Sequence, residues 1–144
     1  MRIARIFNTY GPRMNENDGR VVSNFIIQAL KGKKLTIYGE GEQTRSFQYV
    51  HDLVDGLIAL MNSDCTEPVN IGNPEEYTIK TFAELIIEQV KSCSKIEHVE
   101  AVADDPQRRR PDITRAKNVL NWAPKFSLRQ GIAETVDYFR NELM

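Results

Sequence analysis

Short β-favouring segments alternate with amphipathic helical segments along the whole chain of 144 residues. The β-favouring segments are residues 2–7, 35–38, 46–50, 68–72 and 96–102. This alternation is typical of a partly parallel sheet with helices packed on it, so we predict an α/β fold. The strands are few and short, and the first begins at the second residue. We therefore expect the chain to be part of a larger domain.

The predicted helices carry recognisable start and stop signals. Gly32 stands where the first helix, which follows a polar loop, needs its C-cap. Asp52 is predicted to cap the second helix and Thr78 the third. Asp112 is predicted to cap a short helix, and Ser127 with Gln130 forms a capping box for the last.

Composition excludes several classes of protein. Nineteen Lys and Arg against twenty Asp and Glu leave a net charge of −1, which argues against nucleic-acid binding. The two cysteines form no short metal or redox motif and exclude a disulfide scaffold. No apolar run approaches the roughly 18 residues of a membrane span, so we expect no membrane contact from these residues.

The usual catalytic and cofactor motifs are missing. Gly39-Glu40-Gly41 resembles the start of a dinucleotide fingerprint, but Thr44 replaces its third glycine and no helical pattern follows. We interpret both glycines as tight-turn residues. The two histidines support neither a catalytic triad nor a metal site.

Four arginines lie in or beside loops and could bind anions, since the guanidinium fork matches phosphate or carboxylate. They are Arg13, Arg20, Arg45 and Arg109. The alternative for residues 108–110 is a solvated loop paired with nearby aspartates, namely Asp104, Asp105 and Asp112. Tyr38, at a strand end, could stack on a flat base or be an ordinary tyrosine.

Five sequence blocks together resemble one enzyme family. They are ARIFNTYGPRM (4–14), DGRVVSNF (18–25), QTRSFQYV (43–50), NIGNPEE (70–76) and DDPQRRRPDI (104–113). The chain is identified by them as a member of the UDP-glucuronate decarboxylases (UDP-xylose synthases), which are extended short-chain dehydrogenase/reductases. The resemblance covers essentially the whole chain.

The resemblance places residues 1–144 in the carboxy-terminal part of an extended Rossmann-type, NAD(P)-binding fold with its small substrate-binding domain. The family's glycine-rich dinucleotide turn and Tyr-x-x-x-Lys pair precede the matching region. None of the five tyrosines here has a lysine four positions later. The resemblance therefore implies a chain that supplies mainly the UDP-sugar side and is inactive alone.

In that family, carbon 4 of the glucuronate ring is oxidised with bound NAD, and the carboxylate then leaves as carbon dioxide. Return of the hydride gives UDP-xylose. The resemblance implies cofactor contacts at Thr9, Asn15 and Arg20, although animal relatives carry His rather than Asn at position 15. An Asn there can still donate a hydrogen bond.

The resemblance also assigns the substrate contacts. Asn8 contacts the UDP-sugar, Arg45 the pyrophosphate, and Arg109 the phosphates and reacting sugar. For Arg109, the implied auxiliary catalytic role is electrostatic, because an arginine pKa is too high for proton donation. The segment around the uridine consists of Thr36, Ile37, Tyr38, Gly39, Glu40, Gly41, Glu42 and Gln43.

Two other functions stay open: another nucleotide-sugar epimerase or dehydratase of the superfamily, and a non-catalytic nucleotide-sugar-binding module. The resemblance implies a homodimer for the full-length protein. It also implies the Golgi lumen, as for animal members, with the cytoplasm as the alternative.

Overall fold

A computed structural model describes residues 1–143 as an α/β arrangement of short strands and five helices. The helices are α1 (Val21–Leu30), α2 (Val50–Met61), α3 (Ile79–Val90), α4 (Thr114–Leu120) and α5 (Leu128–Leu143). The strands are β1 (Ala4–Ile6), β2 (Thr9–Tyr10), β3 (Leu35–Tyr38), β4 (Thr44–Arg45), β5 (Gln48–Tyr49), β6 (Val69–Ile71), β7 (Tyr77–Thr78) and β8 (Ile96–Val99).

The strands associate in pairs, and most pairs are parallel. β1 lies parallel to β6, β2 to β5, and β3 to β8, whereas β4 and β7 are antiparallel. Parallel neighbours need a crossover between them, which the intervening helices supply. The predicted partly parallel α/β fold is therefore confirmed.

The larger core lies between three helices and the β3–β8 pair. Phe25 of α1, Phe82 of α3 and Phe139 of α5 are each at most 2% exposed and belong to one apolar cluster. The ring of Phe47 stacks on Phe82 at a centroid distance of 4.6 Å. This core positions α1 and β3 on either side of the cavity described below.

A second, smaller core joins α2, β6 and α4 through Leu60, Ile71 and Trp122. Asp52 of α2 stabilises this smaller core through contacts that differ from the predicted helix cap. The helix begins at Val50 after Tyr49, so the prediction that Asp52 caps α2 is wrong.

The Asp52 carboxylate, 1% exposed, instead accepts hydrogen bonds from the backbone amides of Lys125 (2.9 Å) and Phe126 (3.1 Å). The indole nitrogen of Trp122 donates to the Asp52 carbonyl at 3.0 Å. Asp52 thus fastens α2 to the segment before α5.

Other local predictions are confirmed. Thr78 caps α3 by accepting from the Thr81 amide at 3.1 Å. Ser127 and Gln130 form the predicted capping box, with reciprocal bonds of 3.0 and 3.2 Å. In contrast, the prediction that Asp112 is the N-cap of α4 is wrong by one residue: the N-cap is Ile113, and Asp112, just before it, accepts from the Thr114 amide at 2.9 Å.

No helix within residues 1–143 is both long and apolar enough to cross a membrane.

Candidate functional site

A cavity with a volume of about 620 Å³ lies between the carboxyl end of β1, helix α1 and the end of β3. This volume falls within the roughly 300 to 1,000 Å³ of typical small-molecule sites. Its lining includes seven residues that the sequence singled out, namely Asn8, Thr9, Arg20, Thr36, Tyr38, Gln43 and Arg45. The cavity is thus the candidate site.

The wall formed after β1 is polar. The Thr9 hydroxyl donates to the carbonyl of Phe7 at 2.8 Å, which orients this side chain beside the strand end. Arg20 is the N-cap residue of α1, and its guanidinium is largely exposed, 3.8 Å from the Asp18 carboxylate. Polar and cationic groups therefore stand together at the carboxyl end of a parallel strand, where ligands bind in open α/β sheets.

The opposite wall comes from β3 and its turn. The Thr36 amide donates to the side-chain oxygen of Gln28 at 3.3 Å, which links β3 to α1. Tyr38, half exposed, ends the strand, and its carbonyl accepts from Gln43 at 3.2 Å. The exposed ring can therefore stack on a flat base.

Gly39 and Gly41 are turn residues, as predicted. Their φ angles of +72° and +78° lie in the left-handed region that glycine adopts readily. Strand β4 rather than a helix follows the turn, so these glycines do not form a dinucleotide-binding turn.

Arg45 closes one side of the cavity and is almost buried, with 12% of its side chain exposed. Its guanidinium donates to the carbonyls of Thr44 (2.6 Å) and Pro106 (2.7 Å) and pairs with the carboxylate of Asp105. Asp105 also lines the cavity. The arginine predicted for a phosphate thus already contacts a carboxylate.

A smaller neighbouring pocket of about 310 Å³ is lined by three more of the predicted residues, Gly39, Glu40 and Glu42. Tyr38 and Gln43 line both pockets. The predicted segment 36–43 therefore runs along the edge of the site.

Four of the residues that the resemblance assigns to the site line neither of these two pockets. Asn15 lies in an exposed loop and accepts from the Asn17 amide at 2.8 Å. The side chain of Ile37 is fully buried in the larger core, and Gly41 packs against Lys80. Arg109 is exposed on a loop and outside the cavity lining. The binding roles of these four residues, like those of the residues that line the two pockets, stay predictions.

Of the two arginines that flank Arg109, Arg108 differs from the sequence interpretation, whereas Arg110 acts on a nearby aspartate as that interpretation expected. Arg108 binds Glu76 with two hydrogen bonds of 2.7 and 2.9 Å rather than a nearby aspartate. This guanidinium lowers the pKa of Glu76 below its usual value. Hydrogen bonds from Thr114, followed by the charge of Arg110, lower the pKa of Asp112.

Sequence reasoning missed Asn24, Gln28 and Gln48. Asn24 and Gln28 lie one helical turn apart on α1 and line the cavity together, a spacing that could have revealed them. Gln48 is fully buried at 0% exposure, and its amide nitrogen donates to Ile71 (2.9 Å) and Thr9 (3.0 Å). Its side-chain oxygen is buried without a partner among residues 1–143.

Within the described part of the chain, no three His, Cys, Asp or Glu side chains are grouped so that they could hold a metal ion.

Comparison with known proteins identifies the family. The family model described as GDP-mannose 4,6 dehydratase matches residues 1–135. A UDP-glucuronic acid decarboxylase 1 of Xenopus tropicalis is 59% identical over 143 residues, which are 99% of this chain and 34% of that protein. A UDP-glucuronic acid decarboxylase 1 of Arabidopsis thaliana is 54% identical over 144 residues, 100% of this chain and 33% of that protein. The chain thus spans about a third of these relatives.

Solved structures show the same fold. A UDP-glucose 4-epimerase of Thermotoga maritima, with UDP-glucose, is 32% identical and has a TM-score of 0.93 over 98% of this chain and 46% of that one. A UDP-glucuronic acid 4-epimerase of Bacillus cereus, in complex with UDP-glucuronic acid and NAD, is 29% identical with a TM-score of 0.89. The match covers 98% of this chain and 45% of the Bacillus cereus protein. The match to the family model and this shared fold lead to one conclusion: the chain belongs to the GDP-mannose 4,6 dehydratase family and folds as part of its extended Rossmann-type domain.

Proposed function

We propose that this chain is the UDP-sugar-binding portion of a UDP-glucuronate decarboxylase, which converts UDP-glucuronate to UDP-xylose and carbon dioxide. The observation that carries the proposal is the convergence of seven sequence-predicted residues on one cavity. Identities of 53–59% to UDP-glucuronic acid decarboxylases over at least 99% of the chain support it.

The cavity suits a nucleoside diphosphate with a sugar attached. Tyr38 offers an aromatic face for a base, and Arg45 offers a guanidinium for a diphosphate. Asn8 and Thr9 supply neutral hydrogen-bonding groups on the opposite side, suited to sugar hydroxyls and cofactor amides. Holding the substrate at both ends keeps its sugar in place throughout the reaction, which is a large part of catalysis.

NAD is the proposed cofactor, and the residues present fit one side of its site. Thr9 and Arg20 bring a hydroxyl and a cation to the carboxyl end of β1. Bound NAD would supply oxidation and reduction of carbon 4. The residues of this chain would orient the sugar and neutralise its diphosphate. We propose that Arg109 adds electrostatic stabilisation from its loop.

We propose that the remaining part of the site is contributed by segments of a longer protein that lie outside these 144 residues. β1 and α2 expose apolar side chains that include Ile6 (55% exposed), Ile58 (48%) and Met61 (67%). An apolar surface of this kind is favourably covered by further protein. This supports a chain that works within a longer protein.

The test is a chimera in which this chain replaces the matching 143-residue segment of the Xenopus tropicalis relative. We expect the chimera to form UDP-xylose from UDP-glucuronate with NAD, while the 144-residue chain alone forms none. A chimera that is folded and binds NAD but leaves UDP-glucuronate unchanged would refute the proposed reaction.

A 4-epimerase is the second candidate, because several solved structures with the same fold are UDP-sugar 4-epimerases. Their identities of 28–32% are far below those of the decarboxylases, which makes epimerisation the weaker proposal. Formation of the 4-epimer by the chimera would favour it.

We also propose a homodimer and a location in the Golgi lumen, with the cytoplasm as the alternative. The homodimer rests on the resemblance to the decarboxylase family, and the location rests on the resemblance to its animal members. Sedimentation of the longer protein tests the first, and protease protection in intact microsomes tests the second.

A further inference from the structure

The guanidinium of Arg45 is held from three directions within the wall of the cavity. It donates to the Thr44 carbonyl at 2.6 Å and to the Pro106 carbonyl at 2.7 Å, and its second terminal nitrogen pairs with the Asp105 carboxylate. The two carbonyls hold the arginine in position. The Asp105 carboxylate accepts a hydrogen bond from a guanidinium N–H of Arg45 that would otherwise be free to bind an anion in the cavity.

Asp105 is tied to this place by a second contact. Its other carboxylate oxygen accepts a hydrogen bond from the Gln43 side chain at 3.1 Å. Gln43 also donates to the Tyr38 carbonyl at 3.2 Å, so the carboxylate is linked to the turn that ends β3. The aspartate remains about a third exposed, so that solvent and ligands can reach it.

We propose that Asp105 competes with an anionic ligand for Arg45 and thereby sets the charge that a ligand needs in order to bind. This inference rests on the proposed nucleotide-sugar site and specifies its selectivity. A diphosphate carries more negative charge than one carboxylate and more acceptor oxygens, so it can displace Asp105. A neutral nucleoside gains nothing from Arg45 and leaves the pair intact.

Displacement also affects the loop that carries Asp105. Residues 104–110 are attached to the site through this ion pair, through the Arg108–Glu76 pair, and through hydrogen bonds to the carbonyls of Pro106 and Gln107. Loss of the Asp105 ion pair removes one of these attachments and loosens the loop. The peptide bonds after Arg108 and Arg109 then become more accessible to trypsin.

The test compares Asp105→Asn with Asp104→Asn, measured in this chain and, in parallel, in the chimera. Asp104 is exposed in the same loop, so its variant makes the same change in net charge away from Arg45. Isothermal titration calorimetry uses UDP, inorganic pyrophosphate and uridine as ligands. Limited trypsin digestion without ligand measures cleavage after Arg108 and Arg109.

We expect Asp105→Asn to bind UDP and pyrophosphate roughly three- to tenfold more tightly than the parent, as loss of one partly exposed ionic competitor implies. Uridine affinity should be unchanged. Asp104→Asn should change UDP affinity by less than about twofold, as an exposed charge away from the site does. Trypsin should cleave the Asp105→Asn loop faster than the Asp104→Asn loop.

Equal or weaker UDP binding by Asp105→Asn would overturn the inference and leave the nucleotide site standing. Unchanged trypsin cleavage would overturn its loop component. Failure of UDP to bind the parent and both variants would overturn the proposed function, and the inference with it.

Discussion

The side chain of Gln48 on β5 donates a hydrogen bond to the carbonyl of Ile71 on β6 at 2.9 Å. The same amide nitrogen reaches Thr9 at 3.0 Å. One buried side chain therefore connects the β2–β5 pair to the β1–β6 pair, directly behind the cavity wall.

Replacing Gln48 by Met should destabilise the protein. The side chain keeps its length but loses the hydrogen bonds to the Ile71 carbonyl and the Thr9 hydroxyl, at a cost of about 0.5–1.5 kcal/mol each, while the Phe7 amide still donates to that carbonyl at 3.1 Å. Chemical denaturation of the chain measures the loss. Gln107→Met, at an exposed position, is the matched control and should stay within about 0.5 kcal/mol. Equal stabilities of the two variants would contradict the bridging role.

Gly131 in α5 should not tolerate even a methyl group. A Cβ at this position would lie 2.0 Å from the hydroxyl of Tyr10, whose ring is 2% exposed and cannot move aside. Gly131→Ala, normally favourable inside a helix, should therefore cost about 1–3 kcal/mol. Adding Tyr10→Phe removes the nearest atom and should recover part of this loss. Thermal unfolding of the parent and both variants measures these changes. A Gly131→Ala variant that is more stable than the parent would contradict the close packing of Gly131 against Tyr10.

Much of the fold was predictable because its signals are local. The Thr78 cap and the Ser127–Gln130 capping box involve residues three positions apart, and both are confirmed. The Asp52 prediction was wrong because its partners are far away in sequence. Its amide donors lie 73 and 74 positions along the chain, and the periodicity of α2 contains no information about them.

The candidate site shows the same difference between residues that local motifs indicate and contacts between residues far apart in sequence. Asn8, Thr9 and Arg45 could be assigned from the resemblance and line the cavity, and their binding roles stay predictions. The Arg45–Asp105 pair joins residues 60 positions apart and depends on where the loop folds back. The run of three arginines beside aspartates gave no indication that Arg108 forms its ion pair with Glu76 rather than with an aspartate.

Alkaline pH should destabilise the protein through its buried tyrosines. Burial, followed by the Glu134 hydrogen bond, raises the pKa of Tyr49 to about 12, and burial with Glu75 raises the pKa of Tyr77 to about 12. Because the unfolded tyrosines ionise near pH 10, this stabilisation is complete below pH 10. It is lost between about pH 10 and 12.

Denaturation at pH 9, 10, 11 and 12 measures this effect. Tyr49→Phe should show a shallower loss of stability over the upper interval than the parent. Tyr38→Phe, at an exposed site, is the control and should follow the parent. A flat profile for the parent would contradict the tyrosine burial.

Arg45→Ala should weaken UDP binding roughly ten- to hundredfold, because a charge-assisted hydrogen bond contributes about 1.5–3 kcal/mol. Arg45→Lys should recover only part of this affinity, since an ammonium cannot reproduce the planar fork. Calorimetry with UDP tests both. Parent-like affinity of Arg45→Ala would give Arg45 a purely structural role.

Substitutions of Arg108 and Arg109 should have different effects on turnover and UDP binding, although the two residues are neighbours in sequence. Arg108→Ala removes an exposed pair with Glu76 and should change stability by less than about 0.5 kcal/mol. Arg109→Ala in the chimera should lower turnover and weaken UDP binding, and Arg109→Lys should restore little. Steady-state kinetics separates them. Equal losses would mean that the loop acts only as a diffuse positive patch.

The fate of the substrate carboxyl group tests the proposed decarboxylation most directly. UDP-glucuronate labelled with carbon-13 in the carboxyl group is incubated with NAD and the chimera that contains this chain. We predict that the label appears as carbon dioxide in an amount equal to the UDP-xylose formed. Turnover in which the label stays in the nucleotide sugar, as epimerisation requires, would contradict the proposed function.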